Sequence, residues 1–201
     1  MWIAVPAFLL SWQVMLAAMM LPSSLPLVRL FARASAKQPR PRAAMAGFLG
    51  GYALVWTTFG ALAFVFDMGV HATVDSSPWL QDHTWLLGAG VLALAGAFQF
   101  SSFKYACLDK CRHPAQFLMR FYERGAGGGF RLGVRHGAFC LGCCWALMLV
   151  MFSVGVASLV AMAFLTVLMV YEKTQPLGRH VVPVAGATLF AMALMTAVHA
   201  A

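Results

Sequence analysis

Acidic residues are scarce in this sequence: six Asp and Glu in 201 residues, against 14 Lys and Arg. Charged residues of both signs amount to only 10%, where a water-soluble domain of this length carries about 25%. That shortage excludes a separate water-soluble domain. The longest stretch free of a long apolar run is about 30 residues, which is loop-sized. Also missing is a basic segment ahead of the first apolar run, Trp2 to Leu21, or a small-residue cleavage site after it. The run therefore reads as a retained span and not as a secretory signal. No fixed-period repeat is present. The Gly-rich GAGGGF at Gly125 to Phe130 follows no strand and lacks a P-loop lysine. It reads as a flexible linker, not a phosphate cradle.

What is present is apolar. Hydrophobic residues make up 62% of the chain and the mean hydropathy is +0.80, which puts the sequence in the membrane class. A helix needs about 20 apolar residues to cross ~30 Å of hydrocarbon. Candidate spans run from Ile3 to Phe31, Gly47 to Phe66, Trp85 to Phe103 and Val181 to Val198. The first is over-long and carries Pro22 and Pro26, so a kink or a helix end is expected near Pro22. The apolar run from Gly137 to Tyr171 is too long for one crossing, and a turn at Ser153-Val154-Gly155 divides it into two. Six crossings place every basic segment on one side: Arg29 to Arg42, Lys104 to Arg135, and Lys173 with Arg179. The segment Asp67 to Thr84 has no Lys or Arg and falls on the other side. Basic residues collect on the cytoplasmic face, so both termini are expected outside. The net charge of +8 is accounted for by topology, and nucleic acid is not the expected partner. The expected fold is an all-α, polytopic membrane helical bundle of about six spans, one of them kinked, forming a single integral membrane domain over residues 1–201.

Five cysteines carry the chemistry. Cys107 and Cys111 are spaced i, i+4, and Cys140, Cys143 and Cys144 form C-x-x-C-C. His136 lies one turn before Cys140, and Met148 one turn after Cys144. On a helix, His136, Cys140, Cys143, Cys144, Met148 and Met151 form one stripe of imidazole, thiols and thioethers. All five thiols fall near the inferred cytoplasmic side, where stable disulfides are not expected, and adjacent Cys143 and Cys144 would bridge only under strain. A lone cysteine in a membrane helix is usually a small packing residue. Two clusters of them, flanked by His113 and His136, fit metal ligation. Thiolate and thioether donors select Cu(I), and thiolate with imidazole suits Zn(II) as well.

Other polar groups lie at the same depth. Gln99 sits one turn inside the cytoplasmic end of its span, Glu172 and Lys173 close the fifth span, and Ser23 and Ser24 stand between the two prolines. Polar groups within spans are costly and usually face a bundle interior. Glu172 reads equally as a ligand, a base beside the ligands, or half of an interfacial Glu172-Lys173 anchor. Met15, Met19 and Met20 in the first span read as packing residues. Asp67, His71, Asp82 and His83 outside read as solvated loop residues. The segment Cys107 to Arg124 is basic and aromatic, and its apolar Phe117, Leu118, Phe121 and Tyr122 predict an amphipathic helix after Pro114, lying on the inner surface over the thiols.

Four pieces of sequence carry a resemblance: MLAAMMLPSSLPLV at Met15 to Val28, FKYACLDKCRHP at Phe103 to Pro114, FRLGVRHGAFCLGCCWALM at Phe130 to Met148, and YEK at Tyr171 to Lys173. Together they resemble the bacterial family of predicted metal-binding integral membrane proteins, listed as domain of unknown function (DUF) 2182. The resemblance covers nearly the whole chain. It implies a multi-span helical protein of the bacterial inner membrane with a metal site, whose ligands map onto Cys107, Cys111, Cys140, Cys143 and Cys144. It implies no particular reaction. Many relatives carry a Met-Asn pair where this chain has Ala157 and Ser158.

Two functions follow. The first is a non-catalytic protein that binds or hands on copper(I), or zinc, through the cysteine cluster, His136 and Met148, with Gln99, Glu172 and His113 as polar neighbours. Its partners would be the lipid bilayer, other membrane subunits or a metal-delivering protein. The second is a membrane thiol-disulfide oxidoreductase using Cys140 and Cys143. An accessory subunit of a membrane metalloenzyme is a third reading.

Overall fold

The computed structural model describes residues 4–154 and 158–200. The described residues form helices and no strands. In chain order these are α1 (Ala4–Ser35), α2 (Pro41–Ser76), α3 (Pro78–Asp82), α4 (Trp85–Gln99), α5 (Ser102–Arg112), α6 (Pro114–Phe121), α7 (Gly125–Val154), α8 (Leu159–Thr174) and α9 (Gly178–Ala200).

Helix α1 does not end near Pro22. It continues through Pro22 and Pro26 to Ser35. Each proline removes one N–H donor, which frees the Ala18 and Pro22 carbonyls of their i+4 amides, yet the helix runs on past both. Ser23 Oγ donates to the Met20 carbonyl at 2.9 Å, and Ser35 Oγ to the Phe31 carbonyl at 2.6 Å. Helix α2 also outruns its expected end at Phe66, so Asp67 and His71 are helical. They form an exposed i, i+4 pair at 3.7 Å. The long apolar run divides as expected: α7 stops at Val154 and α8 starts at Leu159. Ser158 caps α8 by accepting from the Ala161 amide at 3.4 Å. Gly155 of the expected turn, and Ala157, lie outside the described residues.

The Gly-rich stretch is not a linker. It is the opening of α7, entered through Gly125 at φ +82, a conformation that favours glycine.

Among the described residues, four helices, α1, α2, α7 and α9, are long and apolar enough to cross a membrane. The bent pair α4–α5 makes five if it counts as one span. The expected fifth span corresponds to α8, whose 16 residues reach only ~24 Å at 1.5 Å per residue.

The chain divides into two compact units: Met1–Gly60 with Tyr105–Cys143, and Ala61–Lys104 with Cys144–Ala201. In the first, α6 packs on α1, and its Phe117 joins Leu27, Phe31, Phe48 and Leu132 in a buried apolar cluster. The amphipathic helix expected after Pro114 is thus present, with Phe117 and Leu118 buried. Glycines set the closest approach in this unit. A Cβ on Gly47 or Gly51 of α2 would strike the Ala126 or Phe130 carbonyl of α7. A Cβ on Gly129 or Gly133 of α7 would strike the Ala44 or Phe48 carbonyl of α2. Small residues four apart let two helices meet main chain to main chain. In the second unit, α4 and α8 both pack on α9. Gly96 and Gly186 make the α4–α9 contact close: a Cβ on Gly96 would lie 3.1 Å from the Gly186 carbonyl. Phe100 stacks on Phe190 across it, with centroids 6.2 Å apart.

Candidate metal site

In the first unit, α7 carries Cys140 and Cys143, which are 0% and 1% exposed. The C-x-x-C spacing sets them almost one helical turn apart, and the Cys143 thiol donates to the Cys140 carbonyl at 3.1 Å. Cys107 comes from α5, far away in sequence. It is buried as well, in the same unit as Cys143. Cys111, one turn further along α5, is only half-buried.

A hydrogen-bonded chain leads away from Cys140. Its Sγ lies 3.2 Å from the Tyr52 hydroxyl. Ser24 Oγ donates to Tyr52 at 3.3 Å, and His136 Nε2 lies 3.2 Å from Ser24 Oγ. One donor order satisfies all three contacts: His136 Nε2–H to Ser24, Ser24 to Tyr52, and Tyr52 to the Cys140 sulfur, which then accepts. Aromatic rings surround His136. Tyr52 and Phe48 stack on it at 5.6 and 6.1 Å, and Phe117 meets it edge-on at 5.8 Å. Through Phe117, α6 therefore covers this cluster within the unit.

The second unit holds Cys144, 1% exposed, with Lys173 Nζ 4.0 Å from its sulfur. Lys104 and Glu172 form an ion pair at 2.8 Å, their side chains 0% and 2% exposed. A buried pair of this kind costs desolvation and survives only with good geometry. Met148, Met151 and Met169 are fully buried in the same unit. Gln99 is fully buried too, and its amide has no hydrogen-bond partner among the described residues.

His113 lies apart. It is half-exposed and turns back to Asp109 of its own segment, 2.9 Å from the carbonyl and 3.4 Å from the carboxylate.

Several of these residues were not singled out for a role beforehand. Tyr52 carried no local signal. Lys104 was counted as a topological charge, yet it is buried and paired. Its one legible clue was its position directly beside a span, where an ammonium can turn inward.

Among the described residues, no three His, Cys, Asp or Glu side chains stand close enough to hold a metal ion. A closed zinc site takes four such donors. A soft ion that accepts thiolates and thioethers needs fewer, and buried sulfur is what both units supply.

Fold and site together define an all-helical protein with several membrane-length apolar helices and buried, clustered sulfur donors. A family model described as "PpoB2: Copper chaperone" matches residues 9–196. The chain belongs to this copper chaperone family. No curated protein matches the chain, and no solved structure does.

Proposed function

We propose that this protein is a Cu(I)-handling protein of the bacterial inner membrane, in which copper is cargo and not a catalytic centre. The observation that carries the reading is the burial of three thiols in one unit, Cys140 and Cys143 on α7 and Cys107 from a distant part of the chain. Cys140 and Cys143, one helical turn apart on α7, are the primary donors, and Cys107 is a further buried thiol of the same unit. In the second unit, Cys144 and Met148, one turn apart on α7, offer another thiolate and thioether. Cys111 stands at the half-exposed end of the α5 pair, where incoming metal would first meet sulfur. Zinc is the weaker candidate, because it needs more converging donors than the described residues bring together.

A thiol must lose its proton to bind metal. The Tyr52–Ser24–His136 chain already donates toward Cys140 and holds its sulfur as an acceptor. His136 acts here as a partner of the thiols and not as a ligand. Glu172, paired with Lys104, serves the interior charge balance. The chain is read as one integral membrane domain with six crossings, α8 being the short one, and with both termini outside. The motif resemblance to DUF 2182 accords with a metal-related family. Copper would be exchanged with a metal-delivering protein or a membrane subunit.

The test is anaerobic purification followed by Cu(I) titration against a chromophoric chelator, with sulfur coordination read by X-ray absorption. Wild type is expected to hold Cu(I) with sulfur neighbours, and Cys107→Ser/Cys143→Ser to lose at least one equivalent. A protein that binds no copper and instead cycles between dithiol and disulfide with a quinone would overturn the reading in favour of the oxidoreductase.

A further inference from the structure

A second site lies in the first unit, away from the sulfur. A cavity of about 720 Å³ opens where the C-terminal end of α1, the start of α2 and the start of α7 come together. Lys37, Arg40 and Arg124 line it. None of the three side chains has an ion-pair, hydrogen-bond or ring partner among the described residues. The neighbouring acid, Glu123, is engaged by Arg131, whose Nε donates to it at 2.8 Å.

The cavity wall is built and not incidental. Tyr122 OH donates to the Ala34 carbonyl at 2.9 Å and accepts from Gln38 Nε2 at 2.8 Å. Gln38 Oε1 in turn accepts from the Gly125 amide at 2.8 Å. This relay fastens the end of α1 to the start of α7. It also leaves the first turn of a 30-residue helix facing the cavity, where unsatisfied amides and the helix dipole favour an anion. Three uncompensated cations and a helix N-terminus around one concavity call for a ligand with concentrated negative charge.

We infer that this cavity binds the phosphodiester headgroup of an anionic phospholipid. The three helices that meet there all have membrane-spanning length and apolarity, so the cavity lies at their common polar ends. In a bilayer that is the depth of the phosphates, and basic pockets at the ends of spans capture such headgroups. The inference rests on the membrane reading but not on copper binding.

The experiment uses the full chain in detergent. Dioleoylphosphatidylglycerol or dioleoylphosphatidylcholine is titrated in, and bound lipid is counted by native mass spectrometry. Wild type is expected to retain phosphatidylglycerol and not phosphatidylcholine. A basic residue near an anionic headgroup is worth roughly fivefold in affinity, so K37Q/R40Q/R124Q is expected to bind about a hundredfold more weakly. R124Q alone should bind about fivefold more weakly, which keeps the test alive if the triple variant fails to fold. R33Q, a cation outside the cavity, should bind as wild type does. Cu(I) stoichiometry should be unchanged in every variant, so a failed copper titration and a failed lipid titration are separate results. Undiminished phosphatidylglycerol binding by the triple variant would overturn the inference. So would equal retention of phosphatidylcholine, displacement of the lipid by millimolar inorganic phosphate (a free-anion site), or displacement by equimolar polyglutamate (an acidic protein site).

Discussion

Removing Glu172 should be more damaging than removing its whole ion pair. Lys104 and Glu172 are essentially without solvent and 2.8 Å apart, so neither charge has water to fall back on. Breaking such a pair from one side costs about 3–5 kcal/mol, because an uncompensated ion stays buried, whereas an apolar replacement of both partners is often neutral or stabilising. Glu172→Gln should therefore lower the unfolding free energy by about 3–5 kcal/mol, and Lys104→Met by a similar amount. Lys104→Met/Glu172→Leu should lie within about 1 kcal/mol of wild type, a coupling of several kcal/mol between the two positions. The assay is reversible unfolding of the purified protein in mixed micelles, followed by tryptophan fluorescence, with all four members of the cycle under one condition. If the double variant loses as much as the sum of the two singles, the side chains are not coupled and the argument fails.

Three further outcomes follow from the packing and the surface. Gly133→Ala should destabilise by about 1–3 kcal/mol, since its methyl group meets the Phe48 carbonyl and backbone cannot yield as a side chain can. Gly127→Ala, with nothing within 4 Å of the new methyl, should be neutral or gain up to about 1 kcal/mol of helix propensity; the same melts compare the two. Phe117→Ala should cost about 3–5 kcal/mol through the cavity it opens over His136, seen as a lower melting temperature and faster proteolysis near α6. Arg131 hydrogen-bonds the Glu123 carboxylate and holds its pKa below the ordinary 4.5. A lowered folded-state pKa means that the link stabilises the protein above about pH 4.5 and is lost as pH falls through the lower folded value. The titration of Glu123, followed by carboxyl NMR, should shift upward, toward the ordinary value, in Arg131→Gln and stay in place in Arg33→Gln.

Helix type and the break near Ser153 were legible because long apolar runs leave few alternatives. The i, i+3 and i, i+4 spacing of Cys140, Cys143 and Cys144 likewise announced buried thiols. Two misreadings share a cause. Pro22 and the glycines after Gly125 are helix breakers in water, where propensity decides. Here the helix runs on through Pro22, and the glycines are needed where α2 and α7 touch, so tertiary context overrides propensity. The partners of the site were hidden for another reason. That Tyr52 meets Cys140, or Lys104 meets Glu172, is a fact about residues 88 and 68 positions apart. No local periodicity encodes such a meeting. Whether Cys107 and the later thiols make one site or two was likewise not written in the sequence, which shows only two clusters of the same chemistry.

The glycine seam between α2 and α7 restricts how the thiols can work. Each helix presents notches that accept the carbonyls of the other, much as a rack meets a pinion. Sliding α7 by a single residue would drive Phe130, Leu132 or Val134 into positions with no room for a side chain. The rod that carries Cys140 and Cys143 is thus locked in register against α2. Any movement of these thiols must come from their own rotamers, not from piston-like travel of the helix itself.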